Sequence, residues 1–348
     1  MLDRHPFFQL FAARLRELAR EPGVLFWIFG FPLMLAIGLG FAFRGEQAVI
    51  VDVAVLDGPR AAECAAALPA DLGFRASVLD AEHAARALRL GKVALVVVPG
   101  DAAEASPEFR FDPARPESRL ARALVHDALE RAAGRVDRVT PRAAPVTEPG
   151  SRYIDFLIPG LLGMNIMSGG MWGIGYAIVD MRSKKLLKRL AATPMKRVHF
   201  LAAFLATRLV LVLVEMVLLL LFGWLVYDLE PRGSLAGIAG LCVLGACAFA
   251  SLGLLTATRT AKTEVVGGLI NLVMLPMFVV SGVFFSSDRF PEFVQPIVRA
   301  LPLTALNDAL RAAVLEGASL SEQGPRLLVL AAWGVVSFVL ALRLFRWS

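Results

Sequence analysis

The sequence predicts an α-helical integral membrane protein with six transmembrane helices and an inserted extracytoplasmic α/β domain. Three observations carry that reading. Hydrophobic residues make up 57% of the 348 residues, and mean hydropathy is +0.64, above the soluble range. Six apolar stretches are long enough, or nearly so, to cross a bilayer. Between the first and second of them lies a polar stretch, 44–152, in which strand-like and helix-like patterns alternate. The charge follows the same division. Residues 44–152 hold 15 Lys/Arg against 16 Asp/Glu, and the remainder 21 against 14. The excess of positive charge therefore belongs to the membrane part, where the positive-inside rule accounts for it. It is no sign of nucleic-acid binding.

The elements follow in order. In the first 43 residues, Phe7, Phe8, Phe11, Leu15 and Leu18 recur at helical spacing among Arg14, Arg16 and Arg20, and Pro22-Gly23 ends the pattern. This predicts an interfacial amphipathic helix over 3–21. Val24–Phe43 is 20 uncharged residues. It is long for a signal peptide and no clear cleavage site follows, so it reads as an uncleaved first span. In 44–152, strands are expected at 49–57, 74–80, 93–99 and 108–112. Helices are expected at 60–70, 81–91 and 115–135. Pro141, Pro145 and Pro149 then form a stiff return linker. Residues 153–348 hold the other five spans: Phe156–Val179, Phe200–Tyr227, Ser234–Thr258, Val265–Ser287 and the shorter Leu327–Leu342, whose flanking Arg326 and Arg343 can snorkel.

Orientation follows from the short loops. With the N-terminus inside, the inner segments carry 15 Lys/Arg and the short outer loops 5. Both termini are then cytoplasmic, in a multi-pass protein of the cell (inner) membrane, and 44–152 lies outside. The stretch KKLLKRLAATPM, Lys184–Met195, is cytoplasmic. Within a helix expected over 180–198, Ser183, Leu186, Leu187 and Leu190 share one face and Lys184, Lys185, Lys188 and Arg189 crowd the other. Asp180 suits the helix start, and Pro194 discourages continuation. Such a helix is either a positive-inside anchor or a docking face for a soluble partner.

Two stretches carry a family resemblance. LKRLAATPM at 187–195, after the second span, resembles the cytoplasmic loop of type-2 ABC transporter permeases. SGVFFSSDRFPEFVQPIVRALPLTALNDALRAAVLEG at 281–317 is similar to the same family's outer region, through Ser281, Gly282, Phe284, Phe285, Pro291, Pro302, Leu303, Thr304, Leu310, Arg311 and Gly317. The likeness covers roughly residues 150–345. One departure is local: many members carry Gly-Thr where Lys185 and Leu186 stand. The resemblance implies a permease subunit of an ATP-driven exporter, paired with a second copy of itself or a relative. A separate ATP-binding subunit would supply ATP and Mg, with no cofactor on this chain. It implies a coupling role for Arg182, Lys184, Lys185, Lys188, Arg189, Leu190, Thr193 and Pro194, with Arg182, Lys184, Lys188 and Arg189 facing the ATPase. The helix at 3–21 would be a second ATPase contact.

Other residues read as follows. No GxxxxGK[ST] loop occurs, so the chain is not expected to hydrolyse ATP itself, and no catalytic residue is assigned. Isolated histidines and Cys64, Cys242 and Cys247 give no metal spacing and no disulfide framework. Gly169/Gly173 and Gly233/Gly237 are small-xxx-small pairs for close helix packing. Glu215 is an intramembrane charge, a functional candidate by default. Arg208 lies seven residues before it on roughly the same face, nearer the cytoplasm, where it is able to snorkel; a neighbouring span or a cargo group is the partner open to Glu215. Pro276 is expected to kink the fifth span. Residues 288–325, broken by Pro291, Pro296 and Pro302, are expected to form short re-entrant helices in the outer leaflet; Pro276, Ser281, Gly282, Pro291 and Pro302 are the gating and re-entrant candidates. The domain at 44–152 is open to a periplasmic partner or a structural role. A secondary transporter would need repeats and more midplane charge. A membrane anchor displaying 44–152 as a receptor would need fewer spans.

Overall fold

Apolar runs and turn residues set the element order in the computed structural model, which describes residues 6–43, 50–100, 106–136, 152–191, 197–258 and 260–344. Contacts divide the chain into two units, Met1–Arg44 with Thr147–Ser348, and Gly45–Val146. In the first unit, α1 is Pro6–Ala19. Its Arg14 bonds Glu17 at 2.7 Å and lies 4.3 Å over the Phe204 ring, tying α1 to the third span. The next helix, α2, is Pro22–Ala42. Pro22 suits a first turn, where its missing N–H costs nothing. A π-turn interrupts α2 at Phe26–Gly30.

The inserted unit is a small α/β layer. Its elements are β1 Val51–Leu56, α3 Ala61–Ala66, β2 Phe74–Leu79, α4 Ala81–Arg89, β3 Leu95–Val98, β4 Glu108–Arg110 and α5 Pro116–Ala132. The sheet order is β2-β1-β3-β4, with β1 parallel to β2 and β3, and β4 antiparallel to β3. Side chains alternate across a strand, and the core divides accordingly. Val51, Val53, Val55, Leu95 and Val97 pack with Ala121, Val125 and Ala128 of α5 on one face. Ala54 and Val96 pack with Ala84 of α4 on the other. The Asp80 side chain caps α4 by accepting the His83 amide at 2.8 Å. That hydrogen bond holds the exposed Asp80 carboxyl below its ordinary range.

The remaining elements belong to the membrane unit. They are α6 Tyr153–Ser183, α7 Leu186–Ala191, α8 Arg197–Tyr227, α9 Leu235–Thr256, α10 Thr263–Val280, α11 Gln295–Ala300, α12 Pro302–Arg311 and α13 Gly324–Leu344. Among the described residues, six helices are long and apolar enough to cross a membrane: α2, α6, α8, α9, α10 and α13 with its lead-in turn. Most residues of α6 are buried, whereas few residues of α2, α10 and α13 are. The bundle is therefore built around α6.

Glycines bring α6 and α9 into backbone contact. A Cβ on Gly170 would meet the Phe249 backbone at 2.6 Å, and one on Gly175 the Gly253 carbonyl at 2.6 Å. Small residues permit such approach. The pairing differs from the expected Gly169/Gly173. Gly173 has nothing within 4 Å, and Gly169 faces the Arg208 guanidinium. A π-turn at Met171–Tyr176 lies within this contact and leaves α6 otherwise continuous.

Three expected boundaries move. The fifth span, expected to reach Ser287, ends at Val280, because Gly282 takes φ +70° and turns the chain. The last helix starts before Leu327, at Gly324. The helix expected over 180–198 is two pieces, α6 ending at Ser183 and α7 beginning at Leu186.

Candidate functional site

The first candidate site is the corner between α6 and α7. Lys184 closes α6, and Lys185 then takes φ +60°, the left-handed conformation usual for the residue just past a helix end. A side chain pays about 1–2 kcal/mol there and glycine almost nothing. The permease resemblance, with its Gly-Thr at 185–186, implies glycine at this very position. The turn also rotates the leucines out of register. Leu187 is buried while Leu186 is exposed, so the single leucine face expected across 183–190 is divided.

The basic residues at this corner are not equivalent. Lys184 bonds Asp180 at 2.8 Å, which holds its ammonium above the ordinary lysine range. Lys185, Lys188 and Arg189 are exposed. Arg182 was expected to face a partner, but its guanidinium donates to the carbonyls of Ala257 at 2.7 Å and Thr260 at 2.6 Å. It fastens the end of α6 to the α9–α10 loop, a use of arginine at helix-end carbonyls. Leu190 lies in α7. Its side chain, together with Thr193 and Pro194, lies outside the described residues.

The second site is the intramembrane charge pair. Arg208 and Glu215 are both on α8, two turns or about 10.5 Å apart along the axis. The Arg208 side chain lies along the helix to reach Glu215, Nη1 to Oε1 at 2.8 Å and Nη2 to Oε2 at 3.3 Å. Both residues are buried. Arg208 therefore does not snorkel, and Glu215 finds its partner on its own helix rather than on a neighbouring span. A buried charge is strongly unfavourable unless it is paired and hydrogen-bonded, and the spacing of seven satisfies that within one helix.

The pair is anchored to its neighbours. Arg208 Nη2 also donates to the Asn165 carbonyl of α6 at 2.8 Å. Any Cβ at position 169 would overlap the guanidinium, so Gly169 makes the seat. The Asn165 amide in turn donates to the Ile28 carbonyl at 2.9 Å, inside the π-turn of α2. Irregular turns loosen the regular ladder and offer carbonyls to other donors. One polar network thus joins α8, α6 and α2. Asn165 was not singled out from sequence. Its signal is a lone amide in an otherwise apolar stretch.

A third polar seam lies where α12 meets α6. Pro302 starts α12, whose residues Pro302–Asn307, Ala309 and Leu310 are buried. Asn307 donates to the Ser281 carbonyl at 2.8 Å. Arg311 donates to the Gly282 carbonyl and to the Phe156 carbonyl at 3.3 Å, and lies 3.6 Å over the Phe156 ring. Ser281 and Gly282 thus form a clamped turn. Pro276 is exposed within α10, which runs on past it to Val280. Pro291 is exposed in a turn, accepting the Val294 amide at 2.9 Å. At the start of α6, Asp155 is fully buried and bonds Arg152 at 2.8 Å. This second buried acidic residue within a span helix was missed because it lies just outside the uncharged run that begins at Phe156.

With this geometry in place, comparison with known families gives one match. A family model described as ABC-2 family transporter protein matches residues 22–343. Nothing among curated proteins matches the chain.

Proposed function

The chain belongs to the ABC-2 family of transporter membrane proteins, and from that premise we propose that it is the permease subunit of an ATP-driven exporter. It would work beside a separate ATP-binding subunit, paired with a second copy of itself or a relative. Its cargo would be hydrophobic or amphipathic: a drug, a lipid or a lipid-linked molecule. The membrane would be the cell (inner) membrane, with both termini cytoplasmic and the α/β unit outside.

The observation that supports this reading is the continuity of α6. Its central part is the buried axis of the membrane unit, and its end carries the exposed basic α7 through the Lys184–Lys185 corner. A soluble ATPase seated on α7 would push on the helix that most of the bundle packs against. Arg182 would pass the same push to the α9–α10 loop through its two carbonyl bonds. The Arg208 contacts to Asn165 and Gly169 would carry it to α8. ATP chemistry would stay on the partner, and this chain would convert closure of the partner into helix movement.

The test is co-expression with an ATP-binding-cassette ATPase encoded beside this chain. Lys188→Glu with Arg189→Glu is expected to abolish co-purification and transport-linked ATP hydrolysis, while insertion in the membrane is kept. Retained association and activity in that variant would refute the coupling role of α7.

A further inference from the structure

The inserted α/β unit carries a groove that the transport reading leaves unused. The groove is about 590 Å³ in volume, lined by Phe111, Pro113, Arg119, Arg122, His126 and Arg135, among others. That volume is within the range of small-molecule sites. Arg119, Arg122 and His126 recur at three- and four-residue spacing and so share one face of α5, beside the buried stripe of Ala121, Val125 and Ala128. The Arg122 guanidinium lies 5.4 Å over the Phe111 ring, and Arg119 is held by the Pro113 carbonyl at 2.8 Å. Both arginines are therefore positioned by contacts that use only part of their donor capacity, since a guanidinium has five N–H groups.

The acidic residue at the groove does not cancel this charge. Asp127 is bonded by Arg131 at 3.0 Å and by Arg135, so its carboxylate is neutralised locally. Planar guanidinium groups suit two-oxygen anions, while Phe111 and Pro113 offer apolar surface beside them.

We propose that this groove binds an organic oxyanion, a phosphate or carboxylate carried on an apolar or aromatic body. Arg119 and Arg122 grip the oxyanion, and Phe111 and Pro113 flank the body. The same chemistry is offered by a lipid headgroup and by a free solute. The site stands independently of the export reading, because none of its residues belongs to the α7 corner or to the intramembrane network.

The experiment uses the full chain in phosphatidylcholine nanodiscs, with phenyl phosphate as the probe. Saturable binding is expected, weakened about tenfold or more in the Arg119→Gln/Arg122→Gln variant, as fits the loss of charge-assisted bonds. Inorganic phosphate is expected to bind more weakly than phenyl phosphate, with the gap narrowed by Phe111→Leu. Histidine-selective NMR of the wild type gives a second readout that needs no variant: one of the four histidine signals, assigned to His126, should move on titration. Nanodiscs with added phosphatidylglycerol separate the sources. Loss of phenyl phosphate binding there supports a headgroup ligand, and retention supports a soluble one. No saturable binding, an unmoved His126 signal, or equal affinity in the double arginine variant would overturn the proposal.

Discussion

Replacing Glu215 with leucine tests the energetics of the membrane unit most directly. In the wild type, Arg208 has two bonds to Glu215 and one to the Asn165 carbonyl. Glu215→Leu leaves one carbonyl acceptor and an uncompensated buried charge, a loss of about 3–5 kcal/mol. That is a shift of roughly 10²- to 10⁴-fold in the folding equilibrium. Arg208→Met should cost a similar amount by stranding Glu215. The double variant Arg208→Met/Glu215→Leu removes both charges and should lie within about 1 kcal/mol of wild type, because apolar replacement of a whole buried pair is often neutral or better. Asn165→Ala gives the scale of an ordinary bond between membrane helices, about 1 kcal/mol. The ordering of these four variants, not one value, is the prediction. Unfolding by SDS in mixed micelles, followed by fluorescence of the five tryptophans, reads all of them. Single charge removals costing less than about 1 kcal/mol, or a double variant as unstable as the sum of the singles, would show that the pair is not the energetic unit described.

Three further expectations concern backbone and capping. Lys185→Gly should stabilise the α6–α7 corner or leave it neutral, whereas β-branched Lys185→Val should cost about 1–2 kcal/mol and lower transport per ATP hydrolysed; equal behaviour of the two would remove φ +60° from the account. Gly175→Val should disrupt the α6–α9 contact and sharply reduce folded yield, while Gly173→Ala should be silent, since one Cβ would meet the Gly253 carbonyl and the other meets nothing. In the α/β unit, the Asp80 cap of α4 involves a carboxyl held below its ordinary value. Its contribution is therefore full above the ordinary carboxylate range and fades as pH falls through the lowered value, so protection of the His83 amide should drop on acidification and not on moving to alkaline pH.

What was legible in the sequence is what depends on runs of residues. Long apolar stretches located the six long apolar helices found among the described residues, and alternation around VIVDVAVLD located β1 within two residues. What escaped depends on single side chains and single dihedrals. KKLLKRLA has an unbroken helical pattern, and nothing in it announces that Lys185 leaves the helix; the Gly-Thr of similar sequences is the one hint. The seven-residue spacing of Arg208 and Glu215 put them on one face, but snorkelling and pairing are both open to an arginine there. Burial decides, and burial depends on Gly169 leaving a seat. Asn165 and Asn307 were passed over in favour of charges, although a buried amide has the same need for a partner.

The Arg208–Glu215 pair also bears on how the chain enters the bilayer. Each of these residues alone adds a few kcal/mol to the insertion of a helix. Because both sit on α8, the helix brings its own counter-ion, and the two charges can enter as one neutral unit before α6 supplies the Asn165 carbonyl. Biogenesis of the third span then does not wait on any other helix. In a translocon assay of this segment, the natural pair should insert more readily than two like charges at the same positions, and equal insertion would mean that the pair forms only after assembly.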